Sequence, residues 1–489
     1  MTPINPHHTK RWTILLILAL AQLMVVLDAT IVNIALPSAQ RALHFANSER
    51  QWIVTAYALA FGSLLLLGGR ISDLFGRKWT FIGGLAGFAI ASAVGGAAQS
   101  FGMLAVSRTF QGAFGALLAP AAMSLLTTTF TDPAERNKAF GIWGAIAGSG
   151  ASIGLILGGV LTQTLSWRYS MYVNLVFAAI AIAGALALLH NQAPAVKPKL
   201  DIPGVLTVSG GLFSLVFGFS HAETTSWTNP ITIGFLITGA LLLAAFAFVE
   251  SRSASPLLPL RVITDRNRAA SLLSIMIAGS ALFAVFLFLT YYLQQGRGYS
   301  PVATGVAFLP MTAAVMASAL FATSKLRGRF GPRPLVVIGM LLGGSGMLYL
   351  TRLGLSSGYA SHVLPALLVT GIGVGLVFSS AMNSATLGVR PEDAGVASAT
   401  VSASQQIGGS IGTALLSTIA TGALTGFLAG AHAHPTRLLV AQAAIHGYTA
   451  AFAWAAALFV IGAVIAGLLF ERGTKALEID VAAAPALAH

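Results

Sequence analysis

The sequence predicts an all-α integral membrane protein with fourteen transmembrane helices, and three observations lead to this fold class. Only 8% of the 489 residues are charged, whereas about 25% are charged in an average soluble domain. Hydrophobic residues make up 56% of the chain. Apolar runs of about 20 residues, the length that crosses a bilayer as a helix, recur along the whole sequence. These observations exclude a soluble enzyme, a fibrous protein and a disordered chain.

Fourteen apolar runs define the order of the predicted helices. We place them at 12–36, 51–69, 79–97, 102–124, 139–161, 169–189, 203–220, 230–249, 269–295, 301–323, 334–351, 362–382, 396–426 and 446–470. The first run is longer than the hydrophobic core of a signal peptide, so we expect it to remain as a membrane helix. The longest connections, 190–202 and 250–268, carry prolines and basic residues, and we expect them to lie against lipid head groups.

The basic residues are divided unevenly between the two sides of the predicted membrane. With a cytoplasmic N-terminus, alternating the loops places 20 Lys and Arg residues inside, 6 outside and one within a helix. This asymmetry follows the positive-inside rule. We therefore expect a multi-pass protein of the inner or plasma membrane with both termini in the cytoplasm. The asymmetry also accounts for the net charge of +13, so we expect no nucleic-acid partner.

An internal repeat predicts how the helices are grouped. The loop at 69–78 reads GRISDLFGRK, and 255 residues later the loop at 324–333 reads SKLRGRFGPR. The aliphatic residue, the Phe-Gly pair and the final base recur in register, while the acid does not. Duplicated halves with a pathway between them are typical of secondary transporters. The predicted parts are a six-helix half at 1–190, two inserted helices with their linkers at 191–268, a second six-helix half at 269–470 and a cytoplasmic tail at 471–489.

The first copy of this loop resembles the signature between the second and third helices of the major facilitator superfamily. The residues that carry the likeness are Gly69, Asp73, Gly76, Arg77 and Lys78, and the resemblance implies a gating loop. We expect Asp73 to accept hydrogen bonds from a base or a helix N-terminus of the other half when the inner side is closed. A charge cluster that only sets the topology is the alternative.

Further stretches are similar to the fourteen-span drug:proton antiporter branch of this family, and the likeness covers nearly the whole chain. They are 27–37, 108–112, Trp167 and Arg168 with Asn174, 292–301, 406–409 and the fifth-helix glycines Gly141, Gly150, Gly154, Gly158 and Gly159. The resemblance implies a proton-coupled antiporter that exports drugs by alternating access, as in multidrug efflux and antibiotic resistance. The glycines also permit close helix packing, a role compatible with gating.

Two charged residues are the strongest functional candidates. Of all the charged residues, only Asp28 and Arg108 lie inside the predicted helices, where an ionisable side chain is costly and therefore functional by default. At 1.5 Å per residue, they lie about 12 Å and about 9 Å from the same outer side. Burial favours the protonated form of Asp28, and Arg108 favours its anion. We interpret the pair as the proton-coupling site; a purely structural ion pair is the alternative.

Substrate-binding residues are harder to predict, because helix packing or lipid contact explains the same side chains. The candidates are Asn33, Gln111, Phe283, Tyr291, Tyr292, Gln294, Met311 and Gln405. The second half has no acid within its apolar runs, and the 255-residue repeat pairs Asp28 with Phe283. Since one buried carboxylate neutralises one positive charge, we expect monocationic or neutral amphiphiles rather than dications.

Motifs that are absent from the sequence argue against enzymes and against metal-binding or cofactor-binding proteins. The chain has no cysteine, no phosphate-binding loop, and no serine-hydrolase or zinc-protease signature. We therefore expect no enzyme, no metal and no cofactor, with the proton gradient as the energy source and a monomer as the working unit. Two alternatives remain: a dedicated exporter of one endogenous metabolite, lipid or antibiotic, and a non-transporting membrane sensor or scaffold. Intact Asp28, Asp73 and Arg108 argue against the sensor.

Overall fold

The computed structural model describes residues 10–45, 47–190, 201–253, 256–259, 261–322, 326, 330–390, 393–430 and 436–471. Inside its helices, the side chains of residues 33, 37, 47–51, 133, 147–149, 151, 152, 155, 220, 223, 224, 283, 301 and 413 are not described. All but the first residue of the predicted tail and most of the connection at 190–202 therefore lie outside the described residues.

Every predicted apolar run coincides with a helix. The first half contains α1 Arg11–Leu43, α2 Asn47–Phe75, α3 Arg77–Gly96, α4 Phe101–Thr129, α5 Pro133–Thr164 and α6 Tyr169–Leu188. The inserted hairpin is formed by α7 Ile202–Thr224 and α8 Pro230–Arg252, and the short α9 Arg261–Thr264 follows. The second half contains α10 Arg266–Ala284, α11 Pro301–Ala307, α12 Leu309–Phe321, α13 Pro332–Leu350, α14 Leu364–Thr386, α15 Ala394–Gly430 and α16 Arg437–Leu469.

The predicted fold class is confirmed. Among the described residues, thirteen helices are long and apolar enough to cross a membrane. The fifth predicted run coincides with α5, which has 32 residues and is also long enough to span. The helices match the predicted runs because an apolar helix satisfies all its backbone hydrogen bonds internally, which a bilayer demands.

Local sequence explains where the helices begin and where they are interrupted. The side chain of Asp132 accepts a hydrogen bond from the backbone N of Glu135 at 2.9 Å and starts α5. The tenth run divides at Phe308 into α11 and α12, since Pro310 has no N–H to continue the ladder. Helix α10 continues through two π-helical turns, Val285–Leu289 and Tyr292–Gly296, and a third, Tyr359–Val363, leads into α14.

The helices pack as two bundles that meet mainly along α5 and α15. Within the first bundle, α4 packs against α2 and α3, and α1 packs against α5; within the second, α14 packs against α12 and α13, and α10 against α15. The bundles meet where α2 and α4 contact α15, and where α5 contacts α11, α12 and α14. The inserted α7 packs against both α2 and α15. The core is therefore continuous across the two bundles.

Two basic side chains tie α3 and α6 together at both ends. Lys78, at the start of α3, donates from Nζ to the backbone O of Leu189 at 2.6 Å, just after α6 ends. Arg168, at the start of α6, donates from Nη1 to the backbone O of Gly96 and of Ala98 at 2.7 Å each, where α3 ends. Each cation thus satisfies the free carbonyls at the C-terminus of its neighbour.

The two ends of the described chain lie on the same face of the bundle, which we call the terminal face. Arg11 at the start of α1 pairs with Glu135 at the start of α5. Glu471, after α16, accepts a hydrogen bond at 3.1 Å from Nδ2 of Asn267 at the start of α10. An even number of spanning helices requires this arrangement.

Candidate functional site

The two charges that lie within the predicted helices form an ion pair inside the first bundle. Nη1 of Arg108 on α4 lies 2.5 Å from Oδ2 of Asp28 on α1. Both side chains are almost completely buried, with exposed fractions of 0% for Asp28 and 1% for Arg108. Removing one partner of such a pair leaves an uncompensated buried charge and costs about 3–5 kcal/mol. The charge of each residue therefore compensates the charge of the other, and the loss of either one destabilises the folded protein.

Two amide side chains complete the shell around the carboxylate. Nδ2 of Asn174 on α6 donates to Oδ1 of Asp28 at 2.6 Å. Nε2 of Gln111 donates to the same oxygen at 3.1 Å and to Oγ of Ser92 on α3 at 2.6 Å. Arg108 also donates to Oε1 of Gln111 at 2.8 Å. We call these five residues the charge cluster; they come from four helices, and three of them donate hydrogen bonds to the carboxylate of Asp28.

An aromatic ring also lies against the guanidinium of Arg108. Cζ of Arg108 lies 4.4 Å from the centroid of the Tyr57 ring on α2, which stacks on Phe61 at 5.6 Å. This geometry is a cation–π contact. Among the described residues, the buried hydroxyl of Tyr57 has no hydrogen-bond partner. Arg108 therefore has both an anionic partner, Asp28, and an aromatic partner, Tyr57.

The expected gating loop lies where α2 meets α15 on the terminal face. Oδ1 of Asp73 accepts a hydrogen bond at 3.3 Å from the backbone N of Gly395, in the first turn of α15. The backbones of α2 and α15 are close at this point, since a Cβ built on Gly69 would lie 2.7 Å from the backbone O of Gly395. Arg70 and Arg77 lie near enough to attract Asp73 electrostatically. Gly76 adopts a φ of 90°, a conformation that favours glycine, and begins α3.

A second contact closes the terminal face between α5 and α14. Nδ2 of Asn383 donates to Oδ1 of Asn137. Nη2 of Arg136 donates to the backbone O of Thr386 at 2.8 Å and to its Oγ1 at 3.3 Å. These bonds join the first bundle to the second. Polar contacts of this kind can exchange for water when the helices separate.

The glycines of α5 lie mainly against α1, the helix that carries Asp28. A Cβ on Gly154 would overlap Oγ1 of Thr30, and one on Gly158 would lie 2.7 Å from Cγ1 of Ile31. Gly150 likewise faces Val26, while Gly159 faces Val302 in α11 of the second half. Gly141 is buried. Helix α5 thus contacts both α1, which carries Asp28, and the other bundle.

The described substrate-binding candidates differ in burial and in their contacts. Gln111 is fully buried and holds Asp28, so in this state it belongs to the charge cluster. Tyr292 is buried and donates to the backbone O of Gly354 at 2.9 Å. Met311 is a buried residue whose backbone packs against Gly371.

The remaining candidates differ in exposure. Tyr291 is 41% exposed, and the centroid of its ring lies 6.4 Å from that of Tyr448. Gln294 and Gln405 are partly buried. The side chains of Asn33 and Phe283 lie outside the described residues. The sequence interpretation did not identify Ser92 as a site residue and treated Asn174 only as part of a motif. The available signal for Ser92 was that it is a small polar residue on an otherwise apolar helix face.

Comparisons with known proteins agree with this architecture. Residues 18–413 match the family model described as the Major Facilitator Superfamily. The chain is 45% identical over 471 residues to the puromycin resistance protein pur8 of Streptomyces alboniger, covering 96% of this chain and 93% of that protein. It is 35% identical over 416 residues to the tetracenomycin C resistance and export protein of Streptomyces glaucescens, covering 85% and 77% respectively.

A solved structure shows the same fold. The crystal structure of the human organic anion transporter MFSD10 (TETRAN) matches with a TM-score of 0.65, covering 94% of this chain and 99% of that one. The sequence identity is 15%, so the match concerns the fold alone.

Proposed function

The chain belongs to the Major Facilitator Superfamily, and from this premise we propose that it is a proton-coupled antiporter that exports hydrophobic compounds by alternating access. Its similarity to proteins named for antibiotic resistance and export supports outward transport of antimicrobials. The substrates we propose are monocationic or neutral amphiphiles. The compartment is the cell membrane, with the terminal face in the cytoplasm because the basic loops lie on that side.

The buried pair of Asp28 and Arg108 carries the proposal. Protonation of Asp28 removes the negative charge that Arg108 and the two amides hold. Arg108 then retains the ring of Tyr57 and the neutral oxygens of Gln111 and Ile53 as partners, which compensate a buried cation only in part. The protonated and ionised forms therefore favour different arrangements of α1 and α4. This difference in energy is what proton coupling requires.

Competition for the carboxylate links the proton to the substrate. Ionised Asp28 can pair with Arg108 or with a cationic compound, whereas protonated Asp28 binds neither strongly. One proton exchanged for one monocation moves no net charge, so this exchange responds to the pH gradient. Export of a neutral compound moves net charge and responds also to the membrane potential, by about 2.3 kcal/mol per elementary charge per 100 mV.

The gating role is assigned to the contacts of the terminal face. Gly69, Asp73 and Gly76 shape the meeting of α2 with α15, and Arg77 and Lys78 follow at the start of α3. The contacts that join the bundles there include Asp73 with Gly395, Asn137 with Asn383 and Arg136 with Thr386. These contacts must break for the cytoplasmic side to open. Export needs protons, lipid and substrate as partners, and no cofactor enters the proposal.

Export assays on intact cells test the proposal. Wild-type protein and the variants Asp28→Asn and Asp28→Glu are produced in an efflux-deficient bacterium and loaded with a panel of antibiotics and dyes. We expect protonophore-sensitive export by the wild type, no uphill export by Asp28→Asn and partial export by Asp28→Glu. Undiminished proton-driven export by Asp28→Asn, at equal expression, would contradict the proposal.

A dedicated exporter of one compound is the second candidate function. The observation in its favour is that the relatives described above are named for resistance to, or export of, a single antibiotic. The same panel separates the candidates: a multidrug exporter lowers the accumulation of several unrelated compounds, whereas a dedicated exporter lowers that of one.

A further inference from the structure

The inserted hairpin lies across the junction between the two bundles. Leu66 of α2, Val208 of α7 and Val396 of α15 are buried in one apolar cluster. Toward the opposite face, Nε1 of Trp227 in the hairpin loop donates to Oγ1 of Thr418 on α15 at 2.6 Å. The hairpin is therefore attached to α15 at two levels, and at one of them also to α2.

The linker that follows the hairpin, described at residues 253, 256–259 and 261–265, lies on the terminal face at the same junction. Leu257 and Leu258 are buried in the apolar cluster formed by the hairpin, α2 and α15. Glu250, at the end of α8 and only 4% exposed, accepts hydrogen bonds from the backbone N of Leu257 at 3.1 Å and of Leu258 at 3.0 Å. Hydrogen bonds to a carboxylate are about twice as strong as neutral ones, so Glu250 fixes the path of the linker.

The linker places an arginine at the first turn of α15. Nη2 and Nε of Arg261 donate to Oδ2 of Asp393 at 2.9 Å and 3.2 Å, and Asp393 directly precedes α15. Arg268 donates from Nη2 to the backbone O of Gly388 at 3.1 Å, in the segment that leads to Asp393. The inserted segment thus contacts the helix terminus that also binds Asp73.

Without the linker, two carboxylates would repel each other at the N-terminus of α15. Asp393 repels Asp73, because both carboxylates lie near the first turn of α15. Arg261 neutralises Asp393 from the linker side. Arg70 lies near both Asp73 and Glu250 and attracts each of them. The base that the inserted segment supplies therefore reduces the repulsion that Asp393 exerts on Asp73.

We propose that the inserted hairpin and its linker form a latch on the terminal gate, with Glu250 and Arg261 as positioning residues. Glu250 holds the linker so that Arg261 pairs with Asp393, and this pairing stabilises the contact between Asp73 and Gly395. The gate opens when Arg261 leaves Asp393. The latch rests on the alternating access of the proposed function and is independent of proton coupling.

The absence of cysteine from the chain allows a direct accessibility test. Ser398 is fully buried and lies three residues after Gly395, on the same face of α15. Ser398→Cys introduces a thiol of similar size, which a maleimide reaches from the terminal face only when the gate is open. In this full-length background, we expect Arg261→Gln to increase the labelling rate by about fivefold, the modest effect of a partly exposed ion pair.

Two further variants separate the latch from a general loss of structure. Arg261→Gln combined with Asp393→Asn should restore slow labelling, because the repulsion of Asp73 is removed with the charge. Arg252→Gln is the matched control, since Arg252 is an exposed base whose guanidinium lies over the Phe248 ring in the same segment. Labelling by Arg261→Gln at the rate of this control would overturn the proposal, as would equally fast labelling of the single and double variants.

The dependence of the labelling rate on salt is a second test of the latch. The Arg261 side chain is 51% exposed in its ion pair, so high salt should weaken the pair. Labelling of Ser398→Cys alone should therefore accelerate with salt, and this acceleration should disappear when Arg261→Gln is added. A salt response unchanged by Arg261→Gln would contradict the latch. These outcomes remain readable if Asp28→Asn leaves export intact, which would instead refute proton coupling.

Discussion

At the scale of single residues, the ion pair of Asp28 and Arg108 makes a prediction about stability. Arg108→Gln leaves a buried carboxylate without its base and should cost about 3–5 kcal/mol of unfolding free energy. Adding Asp28→Asn should recover most of this loss, since no charge is then buried. Thermal unfolding of the purified protein in detergent measures both effects. Equal stability of the single and double variants would show that the pair contributes no coupling energy.

The gate makes a second prediction at this scale. Asp73→Asn keeps the shape of the side chain but loses the charge that accepts the N–H of Gly395. Export should fall by about tenfold, because a hydrogen bond to a charged group contributes about 1.5–3 kcal/mol. Asp265→Asn is the control, as Asp265 caps α10 in the same way. If the charges near Asp73 only set the topology, export by Asp73→Asn will be normal at normal expression.

At the scale of helices, the close packing of α5 on α1 predicts a pair of compensating substitutions. Gly154→Ala places a methyl group against Oγ1 of Thr30 and should cost about 1–3 kcal/mol of stability through overpacking. Thr30→Ala removes that oxygen and should restore part of the loss. Gly83→Ala is the control, since a Cβ there meets no atom within 4 Å. Unfolding temperatures that fall equally for Gly83→Ala and Gly154→Ala would refute this packing argument.

The helices were predictable to a greater extent than their contacts. Fourteen apolar runs predicted the order and length of the spans, because length and hydropathy are properties of a segment alone. The depths of Asp28 and Arg108 could be calculated from the helical rise. The approach of Asn174 depends on how α6 is rotated about its axis, which hydropathy does not specify. For the same reason, Gln111 was predicted as a substrate residue although it holds Asp28 in this state.

At the scale of the whole molecule, the distribution of acids predicts the charge of the substrate. From residue 265 onward, the described acids Asp265, Asp393 and Glu471 all lie on the terminal face. Asp28 is therefore the one acid we assign to the transport path. Ethidium and propidium share a ring system and carry one and two positive charges. In proteoliposomes, ethidium should be exported at least about tenfold faster, since an uncompensated charge in the membrane costs several kcal/mol. Equal rates would contradict the assignment.

The hydrogen bonds that join α3 and α6 at both ends have a mechanical consequence for the whole protein. Lys78 and Arg168 join these helices at opposite ends, so the pair behaves as a braced frame that resists sliding. Ser92 and Asn174, which both belong to the charge cluster, lie on the two members of this frame. We therefore expect little shear between α3 and α6 when Asp28 moves, so that the two helices shift together as one rigid body. Because α3 also packs against α4, and α4 contacts α15, we expect this shift to reach the second bundle through α4.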